Sequence, residues 1–185
     1  SVLEISHRSK TFINILEDAK AALTDVLKVP TGYQVLFLQG GGRLQFSMIP
    51  MNLLRGRKEP ANYILTGSWG KSALPEAQKE GPVRVVWDGK DSNYNRLPAA
   101  NELQLDADAS YVYMVSNETI QGVQFPGAID TGKAPLVCDA SSDILSRPID
   151  VSKYGIYYAC AQKNAGPAGV TIVVIRDDLL ERRDV

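Results

Sequence analysis

The sequence predicts an α/β protein, a three-layer αβα sandwich in which helices cover both faces of a mostly parallel, seven-stranded sheet. Short apolar runs rich in β-branched and aromatic residues alternate with stretches of helical periodicity, which is the pattern of parallel sheets with crossover helices. The chain of 185 residues has no internal repeat and is long enough for one hydrophobic core. The seven predicted strands are 33–38, 63–66, 83–87, 111–115, 136–138, 156–159 and 170–176.

Helical patterns lie between and around these strands. Apolar residues recur with a 3.6-residue period from Phe12 to Leu27, so we expect a helix over 11–27 whose apolar face packs on the sheet. Pro30 and Gly32 end this helix before the first strand. Further helical segments are predicted at 46–53, 72–80 and 177–183.

Composition and charge exclude several classes of function. A net charge of −1 gives no general attraction to nucleic acid or to an anionic membrane. The longest apolar stretch, 170–175, is too short to span a bilayer, and no signal peptide pattern opens the chain, so we expect a cytoplasmic protein. Cys138 and Cys160 both lie in apolar runs, where we expect them buried and unpaired. A single His and no CxxC pair leave no ligand set for a metal.

Lys163 lies where the predicted strand 156–159 ends and a loop with Gly and Pro begins. The carboxyl ends of parallel strands are where α/β sheets place their chemistry. Small and apolar neighbours should partly desolvate this lysine, which would lower its pKa and make the neutral amine available as a nucleophile toward carbonyls. Taken alone, the same position also suits a solvated loop lysine.

Asp139 follows another short buried strand, 136–138, upstream of Lys163. An aspartate at one strand end and a lysine at another form the pair that a pyridoxal phosphate site needs. The lysine binds the aldehyde of the cofactor as a Schiff base, and the carboxylate keeps the pyridine nitrogen protonated so that the ring accepts electrons. Pyridoxal 5'-phosphate is therefore the expected cofactor.

Three further strand ends carry residues that suit the same ligand. The glycine-rich turn 39–43 precedes a helix, where backbone N–H groups can bind a phosphate, although many such turns hold no ligand. Trp69 follows the strand 63–66 and suits either stacking on a flat ring or ordinary packing. Thr119 follows the strand 111–115. Because parallel strands end along one edge, we expect these residues to converge with Asp139 and Lys163.

Six runs of the sequence carry a family resemblance. In chain order they are SHRSK (6–10), FLQGGGRLQF (37–46), TGSW (66–69), SNETIQGV (116–123), SSDILSRPIDVSKYG (141–155) and AQKNAGPAGVTIVVIRDDLL (161–180). These runs closely resemble the phosphoserine aminotransferase family, which belongs to class V and fold type I of the pyridoxal phosphate enzymes. The resemblance implies a homodimeric transaminase that moves the amino group of O-phospho-L-serine to 2-oxoglutarate, forming glutamate, in serine biosynthesis. Members of the family often also act in vitamin B6 synthesis.

The resemblance also implies a role for each candidate residue at the strand ends. Lys163 and Asp139 would be the catalytic pair, with Lys163 acting as general base and acid. Gly42, Arg43 and Gln162 would bind the cofactor phosphate. Trp69 would stack on the face of its ring, and Thr119 would bind its ring hydroxyl.

His7 and Arg8, in the SHR motif, resemble the site at which the family binds the anionic groups of its substrates. The planar guanidinium of arginine suits this task because it binds a carboxylate or phosphate in bidentate fashion. His7 also fits a purely structural role beside a helix.

The family has a short segment before the SHR motif and a sizeable C-terminal domain after the DDLL segment. We therefore expect residues 1–185 to be the large, cofactor-binding domain, truncated at both ends and without the small domain. In the family an Asn-Thr pair from a second subunit completes the phosphate site, and another substrate-binding Arg lies in the small domain. The active site should thus lie at a subunit interface, and the isolated chain should be inactive or nearly so.

Three alternatives remain open at this point. A different class V enzyme, such as a serine–glyoxylate-type transaminase or a cysteine desulfurase, is disfavoured by the SHR and SNET motifs, and a desulfurase also needs a mobile catalytic Cys. A non-catalytic domain that keeps the fold as a scaffold would be free to lose Lys163 or Asp139, yet both are present. A dinucleotide-binding oxidoreductase would need G-x-G-x-x-G spacing, which the turn 39–43 lacks.

Overall fold

The computed structural model describes residues 2–180. All seven predicted strands are present in this part of the chain, together with one short hairpin that the sequence pattern did not predict. The strands are β1 Tyr33–Leu38, β2 Ala61–Leu65, β3 Val83–Asp88, β4 Tyr111–Val115, β5 Asn117–Glu118, β6 Val123–Gln124, β7 Leu136–Asp139, β8 Ile156–Cys160 and β9 Thr171–Arg176.

The main sheet has the strand order β1-β9-β8-β7-β4-β2-β3, and β5 pairs separately with β6. Only β9 is antiparallel to its neighbours, β1 and β8. The remaining pairs are parallel, so six of the seven strands end along one edge, called here the carboxyl edge. The predicted α/β class with a mostly parallel, seven-stranded sheet is confirmed.

The predicted helices are present, and α2 begins earlier than its apolar pattern suggests because it includes most of the glycine-rich turn. None of the helices in residues 2–180 is both long and apolar enough to cross a membrane. The last part of the predicted helix 177–183 lies outside the described residues. The helices are α1 Lys10–Val26, α2 Gly41–Leu53, α3 Ser68–Gln78 and α4 Asp177–Leu180, and short 3-10 turns occur at Val2–Glu4, Gly89–Ser92, Ala100–Glu102, Val151–Lys153 and Ala161–Lys163.

Apolar side chains are buried on both faces of the sheet because successive residues of a strand point to opposite sides. In β4, Val112 and Met114 face one core, whereas Tyr111 and Tyr113 face the other. Helices α2 and α3 cover the tyrosine face, as the contact of Phe46 with that core illustrates. Among the described residues, the opposite face is covered mainly by loops and by the C-terminal end of α1.

The expectation that the apolar face of α1 packs on the sheet is wrong for this structure. None of the residues of α1 is buried, and Ile15 and Val26 expose 47% and 64% of their surface. Only Leu23, near the end of the helix, packs partly against the core. The 3.6-residue pattern specifies that one face is apolar, but α1 leads into the edge strand β1, so only its last turn reaches the sheet.

Candidate active site

A cavity of about 440 Å³ lies at the carboxyl edge of the sheet. Its walls come from the start of α2, the start of α3, the end of β7 and the turn that follows β8. Six residues that the sequence singled out line this cavity, although they come from distant parts of the chain: Gly42, Arg43, Trp69, Asp139, Gln162 and Lys163.

The first turn of α2 forms one wall of this cavity. Its N-cap, Gly40, has no side chain to cap the helix, and the first N–H groups of a helix have no acceptor within it. Such a terminus favours a negatively charged ligand. The Gly42 N–H donates to the sulfur of Cys160, and a Cβ at position 42 would lie only 2.8 Å from that sulfur. The close approach therefore requires glycine at position 42.

The two cysteines differ in exposure, although the sequence predicted both as buried. Cys138 is buried within β7, and burial raises the pKa of its thiol. Cys160 is only half-buried and lines the cavity, because β8 ends there and its side chain meets the start of α2. Both thiols are free.

Lys163 is held at the cavity wall by two hydroxyl groups. Its Nζ donates to Thr119 Oγ1 and to Ser142 Oγ, each at 3.0 Å, and these two oxygens lie 2.7 Å apart. The predicted partial burial of Lys163 is wrong, because the 3-10 turn after β8 carries the side chain to an exposed position. The amine is therefore accessible to a ligand. Sequence reasoning missed Ser142 as its partner, although the polar Ser-Ser pair after Asp139 was a usable signal.

Asp139 is a buried carboxylate in the wall of the same cavity, with only 4% of its surface exposed. Its Oδ1 accepts from the Ser141 N–H at 2.9 Å, and its Oδ2 accepts from the Tyr158 hydroxyl at 3.1 Å. Burial raises the pKa of Asp139, whereas the bonds from Ser141 and Tyr158 and the charge of Lys163 act in the opposite direction. A cationic group in the cavity would further favour the ionised carboxylate.

A network of buried tyrosines lies beneath Asp139. The Tyr158 hydroxyl is 3.0 Å from that of Tyr113, whose ring stacks on Tyr63 with centroids 4.7 Å apart. The Tyr63 hydroxyl is in turn 3.0 Å from that of Tyr111. Sequence reasoning missed this network, although tyrosines at alternate positions of β4 must share a face. The network restricts the side chain of Asp139 from below.

Trp69 and Thr119 are brought together by the hairpin of β5 and β6. Trp69 is half-buried at the start of α3, and its backbone N–H donates to the carboxylate of Glu118 at 3.0 Å. Thr119 is the residue after Glu118 and contacts Lys163 as described above. Glu118 is a further residue that sequence reasoning did not select.

His7 and Arg8 lie apart from this cavity in the described structure. Both are exposed, they precede α1, and neither is among the residues that line the cavity. Their predicted role in binding substrate anions stays a prediction.

Comparison with known proteins places this geometry among aminotransferases. The family model described as "Aminotransferase class-V" matches residues 2–184. The phosphoserine aminotransferase of Rhodopirellula baltica is 55% identical over 185 residues, which is 100% of this chain and 49% of that protein. The solved phosphoserine aminotransferase of Bacillus circulans subsp. alkalophilus is 49% identical, with a TM-score of 0.94 over 98% of this chain and 50% of that one.

A third relative is described with a bound cofactor. The pyridoxal phosphate-bound phosphoserine aminotransferase of Trichomonas vaginalis is 40% identical, with a TM-score of 0.90 over 99% of this chain and 54% of that one. The present chain thus spans about half the length of the relatives it matches.

Proposed function

Because the chain belongs to the class V aminotransferase family, we propose that it forms the large, cofactor-binding domain of a phosphoserine transaminase. The enzyme moves the amino group of O-phospho-L-serine to 2-oxoglutarate, giving glutamate, and the cavity at the carboxyl edge holds pyridoxal 5'-phosphate. One observation carries the proposal: an accessible amine, a buried carboxylate and a helix terminus whose N-cap has no side chain line one cavity. The 55% identity to a phosphoserine aminotransferase supports this substrate class.

The residues present fit this cofactor. A cavity of about 440 Å³ is within the range of small-molecule sites, which is roughly 300–1,000 Å³. The start of α2 suits the phosphate, Trp69 suits the face of the ring, and Asp139 suits the ring nitrogen. When bound, the cofactor supplies an aldehyde for Lys163 and a ring that accepts electrons.

Each residue of the chain then has a physical task. Lys163 would hold the aldehyde through Nζ, and the same atom would hold and move a proton. The hydroxyls of Thr119 and Ser142 orient Nζ. Asp139 would accept a hydrogen bond from the protonated ring nitrogen, whose charge would offset the cost of burying the carboxylate. Tyr158 holds Asp139 in place.

The remaining contacts complete the proposal. Gly42 and Arg43, in the first turn of α2, would bind the phosphate with the help of Gln162, since all three line the cavity. His7 and Arg8 bind the anionic groups of the substrate once the rest of the protein is present. In this proposal the enzyme is a cytoplasmic homodimer, with the second subunit completing the phosphate site.

The test compares two lysine variants of the full natural chain. Lys163→Ala removes the proposed attachment point, and Lys153→Ala removes an exposed lysine distant from the cavity. After addition of pyridoxal 5'-phosphate, wild type and Lys153→Ala should show an absorption band near the visible edge, and Lys163→Ala should not. The rate of transamination from O-phospho-L-serine should fall by about 10⁴-fold in Lys163→Ala alone.

Two results would contradict the proposal in different ways. If wild type shows no such band, or Lys163→Ala keeps it together with full activity, the cavity is not the cofactor site. If the band depends on Lys163 but serine or alanine replaces phosphoserine as the better donor, the protein is a different class V transaminase.

A further inference from the structure

Glu118 is a buried carboxylate to which the proposed reaction gives no task. It lies in β5, its side chain has 0% exposure, and burial raises its pKa. A buried charge is costly unless hydrogen bonds compensate for the lost water. The partners of Glu118 therefore indicate why it is tolerated.

Both carboxylate oxygens of Glu118 accept backbone N–H groups from the start of α3. Oε2 accepts from Trp69 at 3.0 Å, and Oε1 accepts from Gly70 at 2.8 Å. The N-cap of α3, Gly67, has no side chain that could bind these groups. Glu118 thus caps the helix from a distant part of the chain, and its negative charge is favourable at a helix N-terminus.

Gln121, in the same hairpin, binds the residue before Trp69. Its Oε1 accepts from the Ser68 N–H at 3.2 Å, and its Nε2 donates to the Ser68 hydroxyl at 2.8 Å. A Cβ at Gly67 would lie 2.7 Å from Cδ of Glu118 and 2.4 Å from Oε1 of Gln121. Glycine at position 67 is therefore what allows the hairpin to approach the helix so closely.

The same hairpin also contacts Lys163, which lines the cavity. Thr119 follows Glu118 directly, and its hydroxyl accepts from Lys163 Nζ. One short hairpin consequently contacts the backbone of Trp69 on one side and the amine of Lys163 on the other. The hairpin therefore links the start of α3 to Lys163 through hydrogen bonds on both elements.

We propose that Glu118 is a positioning residue that holds Trp69 against the cofactor ring by binding the first N–H groups of α3. The proposal rests on the proposed function for the identity of the ring, but the contact itself exists without the cofactor. Each oxygen of the carboxylate accepts one of the two N–H groups, whereas the amide of Gln has one acceptor oxygen and a donor group. Glu118→Gln should therefore release one of the two bonds with almost no change in size.

Glu102 provides a matched control for this substitution. Its carboxylate also accepts a backbone N–H, that of Ala99 at 2.7 Å, and it also lies outside the cavity wall. Its second partner is the guanidinium of Arg96 rather than another backbone group. Glu102→Gln therefore makes the same chemical change to a backbone cap that does not contact Trp69.

The first measurement uses the full natural chain without cofactor, so that it does not depend on the proposed function. The emission of Trp69 is obtained as the difference between each protein and its Trp69→Phe counterpart. Glu118→Gln should shift this emission and Glu102→Gln should not. Gln121→Ala, which removes only the bonds to Ser68, should shift it less and in the same direction.

The second measurement titrates pyridoxal 5'-phosphate into the same proteins. Loss of a helix cap typically changes an equilibrium constant about fivefold to tenfold. The dissociation constant for pyridoxal 5'-phosphate should therefore rise by about that factor in Glu118→Gln and stay unchanged in Glu102→Gln. At saturating cofactor, turnover should fall while the KM for phosphoserine changes little.

Unchanged Trp69 emission in both Glu118→Gln and Gln121→Ala would overturn the positioning role. If the emission shifts but wild type binds no pyridoxal 5'-phosphate, the positioning contact is real and the proposed function is wrong. If the emission shifts and cofactor affinity stays at the wild-type value, Glu118 does not act on the cofactor and the proposal fails.

Discussion

Two cavities at opposite edges of the same sheet differ in volume and in the state of their charged groups. The cavity at the carboxyl edge has about 440 Å³, and the one at the opposite edge has about 680 Å³. The larger cavity is lined by residues of the loop before β7, by the turn before β8 and by Arg176 at the end of β9. The larger cavity exceeds the smaller one by about half in volume, yet the smaller one is the candidate site.

The two cavities differ in the burial and the hydrogen-bond partners of their carboxylates. Asp150, in the larger cavity, is exposed and accepts hydrogen bonds from Ser152. Asp139 is buried, and its partners are Ser141, just after β7, and Tyr158, within β8. Exposure of the lysines does not distinguish the two cavities, because Lys133 and Lys153 of the larger one are exposed, as Lys163 is. Volume therefore does not identify the site, whereas the convergence of parallel strand ends does.

The largest expected contrast is in activity. In the full natural chain, Asp139→Ala should lower turnover by about 10²- to 10³-fold, because it removes the group that stabilises charge on the cofactor ring. Asp150→Ala should leave turnover unchanged. A transamination assay at saturating cofactor measures both variants. Equal rates would show that Asp139 has no greater role in the reaction than Asp150.

A smaller contrast is expected for two hydroxyl groups. Tyr158→Phe removes a bond to Asp139, and Tyr33→Phe removes a bond to the carbonyl oxygen of Tyr154 beside the larger cavity. Each should cost about 1 kcal/mol of unfolding free energy, since that is a typical net value for one hydrogen bond. Only Tyr158→Phe should also lower turnover, by about tenfold.

Urea denaturation and steady-state kinetics measure these two effects separately. A loss of turnover in Tyr33→Phe, or none in Tyr158→Phe, would mean that the tyrosine network does not act through Asp139.

The smallest contrast is in how stability without cofactor depends on pH. Burial raises the pKa of Asp139, so the folded state binds its proton more tightly than the unfolded state does. The contribution of Asp139 to the free energy of unfolding should therefore fall as pH rises above about 4. The pKa of Asp150 is lowered, chiefly by the Ser152 hydroxyl, so its contribution is present above about pH 4 and is lost as pH falls further.

Asn variants of the full natural chain, unfolded with urea across a pH series, give the check. Asp139→Asn has no carboxylate to ionise, so its stability relative to wild type should rise as pH rises above about 4. Asp150→Asn should be less stable at neutral pH, with the deficit vanishing in acid. Parallel pH curves for wild type and Asp139→Asn would contradict the assigned direction.

Much of the fold could be predicted from local patterns. The strand from Tyr111 to Val115 is apolar throughout, and a strand buried on both faces needs that composition. The polar residues after strands, such as Asp139, could likewise be assigned to one edge because parallel strands end together. The exposure of α1 could not be predicted, because an amphipathic pattern does not say what covers the apolar face.

Local patterns also failed to predict the surroundings of Lys163 and Cys160 at the candidate site. The expectation for Lys163 used its neighbours in sequence, but its exposure is set by the 3-10 turn that follows β8. Cys160 sits in an apolar run and still lines the cavity, because its strand ends beside the start of α2. Neither fact is encoded in a short window of residues.

The sequence by itself determined the alternation of strands and helices, the edge at which the strands end and the residue types placed there, since these follow from periodicity and turn chemistry. Tertiary structure alone decided which polar atoms meet. Glu118 and Trp69 are 49 residues apart, and Tyr158 and Asp139 are 19 apart. Such contacts depend on the packing of whole elements, because each hydrogen bond requires two distant backbones to approach within about 3 Å.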